Sequence, residues 1–256
     1  MSVRRTKIFI DNKYVAVTVK GTGAPVILLH GYLSKKESFY YQIEAFSKAG
    51  RRVIAPDFPA FGASAPIDFP WSVGDYADWL DKFIKINGLA GADVLAHSFG
   101  ARVVFKLLSR YSESDGLVNR LIITGGAGLV KPRSPQYMRR VRRYRRVKKF
   151  FPKLAEKKFG SEEYRSLSPL MRESYKLIVN EDLRECAGRI SCPTLLIYGN
   201  KDSVTPPSEE GEIFRSAIKG SRLEVMEGTH FCFSENPQVF NALALNFLQD
   251  GQNIRQ

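Results

Sequence analysis

The chain has 256 residues, of which 44% are apolar and 25% charged, enough for one sizeable core with a small insertion. Cys186, Cys192 and Cys232 show no metal-ligand spacing and leave an odd count, which fits reduced thiols in a cytoplasmic protein better than a disulfide framework. The formal net charge of +13 sits in one place: Lys131 to Lys158 holds 13 Lys and Arg against the single acid Glu156, and the remainder is nearly neutral.

Short runs rich in branched residues recur along the chain with turn signals between them. The first is a hairpin, Ile8-Phe9-Ile10 pairing across Asp11-Asn12-Lys13 with the alternating Tyr14 to Val19. Then come Val26 to Leu29, Val53 to Ala55, Asp93 to Ala96, Leu121 to Thr124, Thr194 to Tyr198 and Leu223 to Met226. The later runs are almost continuously apolar, as strands are when both faces of a parallel sheet are covered. Helical stretches fall between them, so the expected architecture is α/β, a doubly wound and mostly parallel sheet of about eight strands. Helix starts are signalled by the capping-box form Ser34-Lys35-Lys36-Glu37 and by Pro in the first turn at Ser168-Pro169 and Asn236-Pro237. From Leu129 to Asp182 the strand pattern stops, and this helical, strongly basic interval is expected to be a lid inserted in a single domain, residues 1–256. The basic start, Met1 to Lys7, leads into no apolar run, and nothing approaches the ~18 apolar residues of a spanning helix, so neither a leader nor a membrane span is expected.

The chemistry centres on Ala96-His97-Ser98-Phe99-Gly100, where the strand ending at Ala96 gives way to the amphipathic Ala101 to Leu108. A serine in such a strand-turn-helix elbow projects its hydroxyl from the carboxyl edge of the sheet. The usual first glycine of the pattern is here Ala96, which adds a methyl group where helix and strand pack closely. A serine hydroxyl needs a base, and the base needs an orienting acid. The chain has three histidines. His97 is adjacent to Ser98, so its side chain should point away, and His30 opens a glycine turn. His230, after the last strand, is the best-placed base. Asp202 lies in the loop after the strand ending at Tyr198, at the same sheet edge. Backbone amides of Phe99 and Tyr32 are the candidate oxyanion donors, and Gly31 lets the Tyr32 loop come close. The plain alternatives are Ser98 as a helix N-cap, Asp202 as a turn residue, His230 as a surface histidine and Cys232 as a small core filler.

Taken with Leu29-His30-Gly31-Tyr32 and Asp57-Phe58-Pro59-Ala60-Phe61-Gly62-Ala63-Ser64, the elbow and the two acid and base loops resemble the α/β-hydrolase fold family, in its compact, lidded form, over essentially the whole chain. The resemblance implies Ser98 as nucleophile, His230 as base, Asp202 as orienting acid, the Tyr32 and Phe99 amides as oxyanion hole, and a mostly structural Asp57. It implies neither a metal nor an organic cofactor. The expected activity is hydrolysis of a carboxylic ester, or a related small-molecule acyl compound, through an acyl-enzyme. The same triad also serves carbon–carbon bond hydrolases, thioesterases, lactonases and amidases. A rival of another class is a non-catalytic ligand- or membrane-binding module.

Within the lid, Tyr137, Val141, Tyr144, Val147, Phe151 and Leu154 recur every three or four residues among arginines and lysines, an amphipathic helix with a crowded cationic face. Its charge reads as a solvated surface, as a contact with anionic membrane, or as a device steering anionic substrates. Nucleic acid is not an expected partner, because no recognisable module accompanies the basic run.

Overall fold

The computed structural model describes residues 4–112, 115–130, 164 and 166–249, with the isolated positions 139, 142, 143 and 146. Most of the basic interval therefore lies outside the described residues, including the apolar stripe from Tyr137 to Leu154. Eight strands form one sheet: β1 (Arg4–Ile10), β2 (Lys13–Lys20), β3 (Pro25–Leu29), β4 (Arg52–Pro56), β5 (Ala92–His97), β6 (Val118–Thr124), β7 (Thr194–Gly199) and β8 (Arg222–Met226). Their order is β1-β2-β4-β3-β5-β6-β7-β8. The β1/β2 and β2/β4 pairs are antiparallel and the rest are parallel, so the expected opening hairpin and parallel body are both present.

Alternation along each strand divides the core in two. On one face Ile27, Leu29, Val94, Ala96, Leu121, Ile123 and Leu196 pack with α2 (Val73–Ile86) and α3 (Phe99–Leu108). On the other, Val26, Leu28, Leu95, Ile122, Leu195 and Ile197 pack with α1 (Tyr40–Lys48) and with the later helix Pro237–Gln249. The sheet is buried on both faces, which is why its central strands read as unbroken apolar runs. Between β6 and β7 the described residues include α4 (Pro169–Val179) and α5 (Arg184–Ala187). The later helices are α6 (Glu212–Ala217), α7 (Cys232–Glu235) and α8 (Pro237–Gln249). Among the described residues no helix is long and apolar enough to cross a membrane.

The helix-start signals divide. Ser168 caps α4 by accepting from the Met171 amide at 3.2 Å, with Pro169 in the first turn, and α8 begins at Pro237. Ser34 does not cap a helix: the segment after it is a single 3-10 turn, Lys36–Phe39, preceded by Lys35 with no side-chain cap. Lys36 is instead drawn inward, its amide and Nζ donating to Asp57 at 2.7 and 2.6 Å. That buried pair supersedes the local capping chemistry. A full capping box stands at Ser72 and Asp75, opening α2.

Candidate active site

Four loops converge at the carboxyl edge of the parallel strands, following β3, β5, β7 and β8. Between β5 and α3, Ser98 has φ 50° and ψ −102°, a left-handed backbone that a non-glycine residue adopts only under constraint. Its hydroxyl makes no capping hydrogen bond, so serine's usual helix-start role is not what it performs here. Gly100 makes the sharp turn fit, since a Cβ there would lie 2.4 Å from the Leu29 carbonyl oxygen. Ala96 fits without that relief: it lies in β5, fully buried, between Leu29 of β3 and Ile123 of β6.

Asp202 and His230 are brought together by the loops that follow the last two strands. The Asn200 amide donates to the Met226 carbonyl at 2.8 Å and the Lys201 amide to the Gly228 carbonyl at 2.9 Å. Gly199 permits the approach, because a Cβ there would lie 2.3 Å from the Gly228 and Thr229 carbonyl oxygens. Asp202 and His230 meet as a result: His230 Nδ1 lies 2.8 Å from Asp202 Oδ2. Asp202 also accepts from the Val204 and Thr205 amides at 2.8 and 2.9 Å and from the Thr205 hydroxyl at 2.8 Å. Burial raises the Asp202 pKa, but the hydrogen bonds from His230 and Thr205 outweigh it and the carboxyl ends below its ordinary value. An ionised Asp202 accepts a hydrogen bond from Nδ1–H, the proton staying on the ring, which leaves His230 Nε2 as the nitrogen with a free lone pair. His230 and Ser98 line one cleft of about 730 Å3, together with Tyr32, Phe99 and His97.

Phe99 is the first residue of α3, so its amide has no acceptor within the helix. Tyr32 sits in the turn after β3, and the adjacent Gly31 lies so close to the elbow that a Cβ on it would be 2.8 Å from His97 Nδ1 and 3.6 Å from the Ser98 Cβ. The Tyr32 ring packs against Phe61, Phe99 and Tyr175, and its hydroxyl donates to the Met171 carbonyl in α4 at 3.3 Å. The loop is held from beneath by His30, which donates from Nδ1 to the Gly31 carbonyl at 2.8 Å and accepts from the Phe58 amide at 3.0 Å. Asp57 is buried and supports the same loop by accepting from Lys36 and from the Ala63 amide at 2.9 Å.

Three contributors were not singled out from sequence. Thr205 links acid and base, its Oγ1 lying 3.2 Å from His230 Nδ1. Gly125, with φ 52°, abuts the His230 ring, where a Cβ would lie 2.9 Å from Nδ1. Arg102 reaches the cleft from α3. The glycine pair Gly125-Gly126 after β6 was the available signal for the second; nothing local marks the others. His97 Nε2 donates to the His230 backbone carbonyl at 3.0 Å, fixing the loop that carries His230. Cys232 is buried with its Sγ 3.7 Å from Thr124 Oγ1. Among the described residues no group of three His, Cys, Asp or Glu could hold a metal ion.

A parallel sheet carrying a left-handed serine turn after its central strand, with an acid and a histidine on later loops, defines an α/β hydrolase. The chain belongs to the α/β-hydrolase fold family, whose model matches residues 24–184. Among its relatives are the AB hydrolase superfamily protein YisY of Bacillus subtilis, 27% identical over 252 residues that cover 89% of this chain and 92% of the relative. Pimeloyl-(acyl-carrier protein) methyl ester esterase of Neisseria meningitidis serogroup B is 27% identical over 254 residues, covering 88% of this chain and 93% of its own. An esterase from Exiguobacterium antarcticum superposes with a TM-score of 0.75 at 25% identity, over 94% of this chain and 97% of that one. The protein is a hydrolase of this fold.

Both structural histidines are neutral: burial lowers His30 to about 4 and His97 to about 3, from the ordinary 6.5. Each takes up a proton on unfolding between its folded and unfolded values, so its contribution is complete above pH 6.5 and is lost as pH falls. The urea midpoint should therefore drop steadily from pH 6.5 toward pH 4, more shallowly in His97→Phe, as followed by circular dichroism. A midpoint flat across that window contradicts the assignment.

Proposed function

We propose that the protein hydrolyses a carboxylic ester through an acyl-enzyme on Ser98. The observation that carries this reading is the pairing of His230 Nδ1 with Asp202 at 2.8 Å beside a serine held at φ 50° in the same cleft. Ser98 Oγ attacks the ester carbonyl carbon and passes its proton to His230 Nε2. The Tyr32 and Phe99 amides receive the developing oxyanion, a role in which losing one donor typically costs ~3 kcal/mol. Collapse of the tetrahedral intermediate expels the alcohol, which takes the proton from His230. Water then attacks the acyl-serine with His230 again as base, releasing the acid and restoring the serine. Asp202 orients the imidazole and stabilises its cation throughout.

An ester is preferred over the thioester, amide, lactone or carbon–carbon bond that the same groups can cleave, because the relatives with printed activities include a methyl ester esterase and an esterase. The reading also separates the protein from a non-catalytic binding module, which has no requirement for all three groups. A fluorophosphonate probe is expected to label the wild type and not Ser98→Ala, and His230→Ala should lower ester turnover roughly 10⁴-fold or more. An unlabelled, folded wild type overturns the reading.

The segment 129–182 is proposed to cover the cleft as a basic lid. Arg139, Arg142, Arg143 and Arg146 are exposed helical residues whose spacing puts them on one face. That cationic stripe favours peripheral contact with an anionic membrane surface, each base contributing about 1 kcal/mol at low screening. Vesicles of phosphatidylcholine with phosphatidylserine should retain the protein at low salt and release it at high salt. No retention at low salt ends the membrane reading.

A further inference from the structure

Arg102 lies on α3 one helical turn past Ser98, and although it lines the cleft it is only 8% exposed. Nη1 donates to the Ile178 carbonyl at 3.0 Å and to the Glu181 carbonyl at 3.1 Å, at the end of α4. Those carbonyls, with the negative end of the α4 dipole, supply partial charge and not a full counter-ion. Among the described residues no carboxylate forms an ion pair with Arg102, and Nε and Nη2 have no protein acceptor, although neither is sealed from the cleft. The nearby acids are committed or too far: Glu181 pairs with Lys106 at 2.7 Å, Asp182 with Arg184 at 3.6 Å, and Glu210 lines the cleft without pairing to Arg102.

A guanidinium stays charged in a protein, and a buried charge without a partner costs several kcal/mol. Here a cation with no ion-pair partner among the described residues faces a cavity that a ligand enters, whose lining includes the apolar Leu129, Tyr175, Val179 and Phe231 and also the acid Glu210. Such a surface complements a hydrocarbon chain that ends in an anion. The chain's net charge of +13 would also draw an anionic ligand toward the cleft.

We propose that Arg102 is a specificity-determining residue that pairs with a carboxylate set off from the scissile carbonyl, so that the esters hydrolysed are half-esters of dicarboxylic acids. This rests on the ester-hydrolase reading of Ser98, Asp202 and His230. The guanidinium presents a planar fork of donors that a carboxylate engages in two places, which a lysine ammonium reproduces only in charge. A charged hydrogen-bonded contact of this kind corresponds to roughly 10- to 100-fold in kcat/KM.

The test compares kcat/KM for monomethyl succinate, glutarate and adipate with the methyl esters of the matching monocarboxylic acids, in the wild type, Arg102→Gln and Arg102→Lys. Binding of free glutarate and of neutral glutaramide is measured alongside by calorimetry, which needs no turnover. The wild type should favour at least one half-ester roughly 10-fold or more, mainly through KM. Arg102→Gln should bring that ratio near one, and Arg102→Lys should keep part of it. A purely structural role, tethering α4, would lower both ester series together and leave the ratio intact, and that outcome overturns the proposal. So does a wild type that shows no preference and no glutarate binding. If no ester is hydrolysed while glutarate binds wild type and not Arg102→Gln, the anion site stands and the ester-hydrolase reading falls.

Discussion

The site depends on the meeting of the loops after β7 and β8. Neither loop is organised by its own sequence alone. They are joined by backbone hydrogen bonds from Asn200 and Lys201 to the carbonyls of Met226 and Gly228, and the approach is allowed by the absence of a side chain at Gly199. Through that seam the register of two parallel strands, set by apolar packing on both sheet faces, fixes the distance between Asp202 and His230. His97 extends the same logic to Ser98, since it ends β5 just before that serine and holds the His230 carbonyl. Acid, base and serine are thus tied to three strands of one sheet, and their relative positions inherit the rigidity of its core.

The buried cations show how differently the fold treats charge near and away from the cleft. Lys36 and Arg51 are buried beside carboxylates, Asp57 and Asp93, which compensate them. Burial lowers the Lys36 pKa, yet the Asp57 contacts more than restore it, and its net value is raised. Lys36 and Asp57 secure the turn that carries Tyr32, while Arg51 and Asp93 close the opposite edge of β5, with Asn119 donating to Asp93 at 2.7 Å. Arg102 is buried to the same degree as Arg51 and has no such partner among the described residues. Its pKa is lowered by burial, with Glu181 and other acids opposing from a distance. Among the described residues Lys36 and Arg51 are thus neutralised within the fold, whereas Arg102, which lines the cleft, is the cation proposed above to pair with a ligand.

Much of this arrangement is legible in the sequence alone. The strands announced themselves because a sheet covered on both faces must be apolar along its whole length, and Val94, Leu95, Ile122, Leu195 and Ile197 have no solvent face to serve. Ser98, Asp202 and His230 stood out because each follows a strand and the chain has few histidines to choose from. Ser34 misled because capping chemistry is local, whereas Lys36 is claimed by Asp57, 21 residues away. Thr205 and Arg102 were invisible for a related reason. A threonine three residues after an aspartate is ordinary turn composition, and an arginine in an amphipathic helix is ordinarily solvated. Only the tertiary arrangement turns the first onto His230 and the second into the cleft.

The proposed acyl-serine on Ser98 is an intermediate common to all esters of one acid. Two esters that share the acyl part and differ in the alcohol, hydrolysed in the presence of hydroxylamine, test it most directly. One ratio of hydroxamate to free acid is expected for both, because both pass through the same acyl-serine before the acceptor is chosen. A ratio that changes with the leaving alcohol would contradict it, since water and hydroxylamine would then be attacking the ester itself.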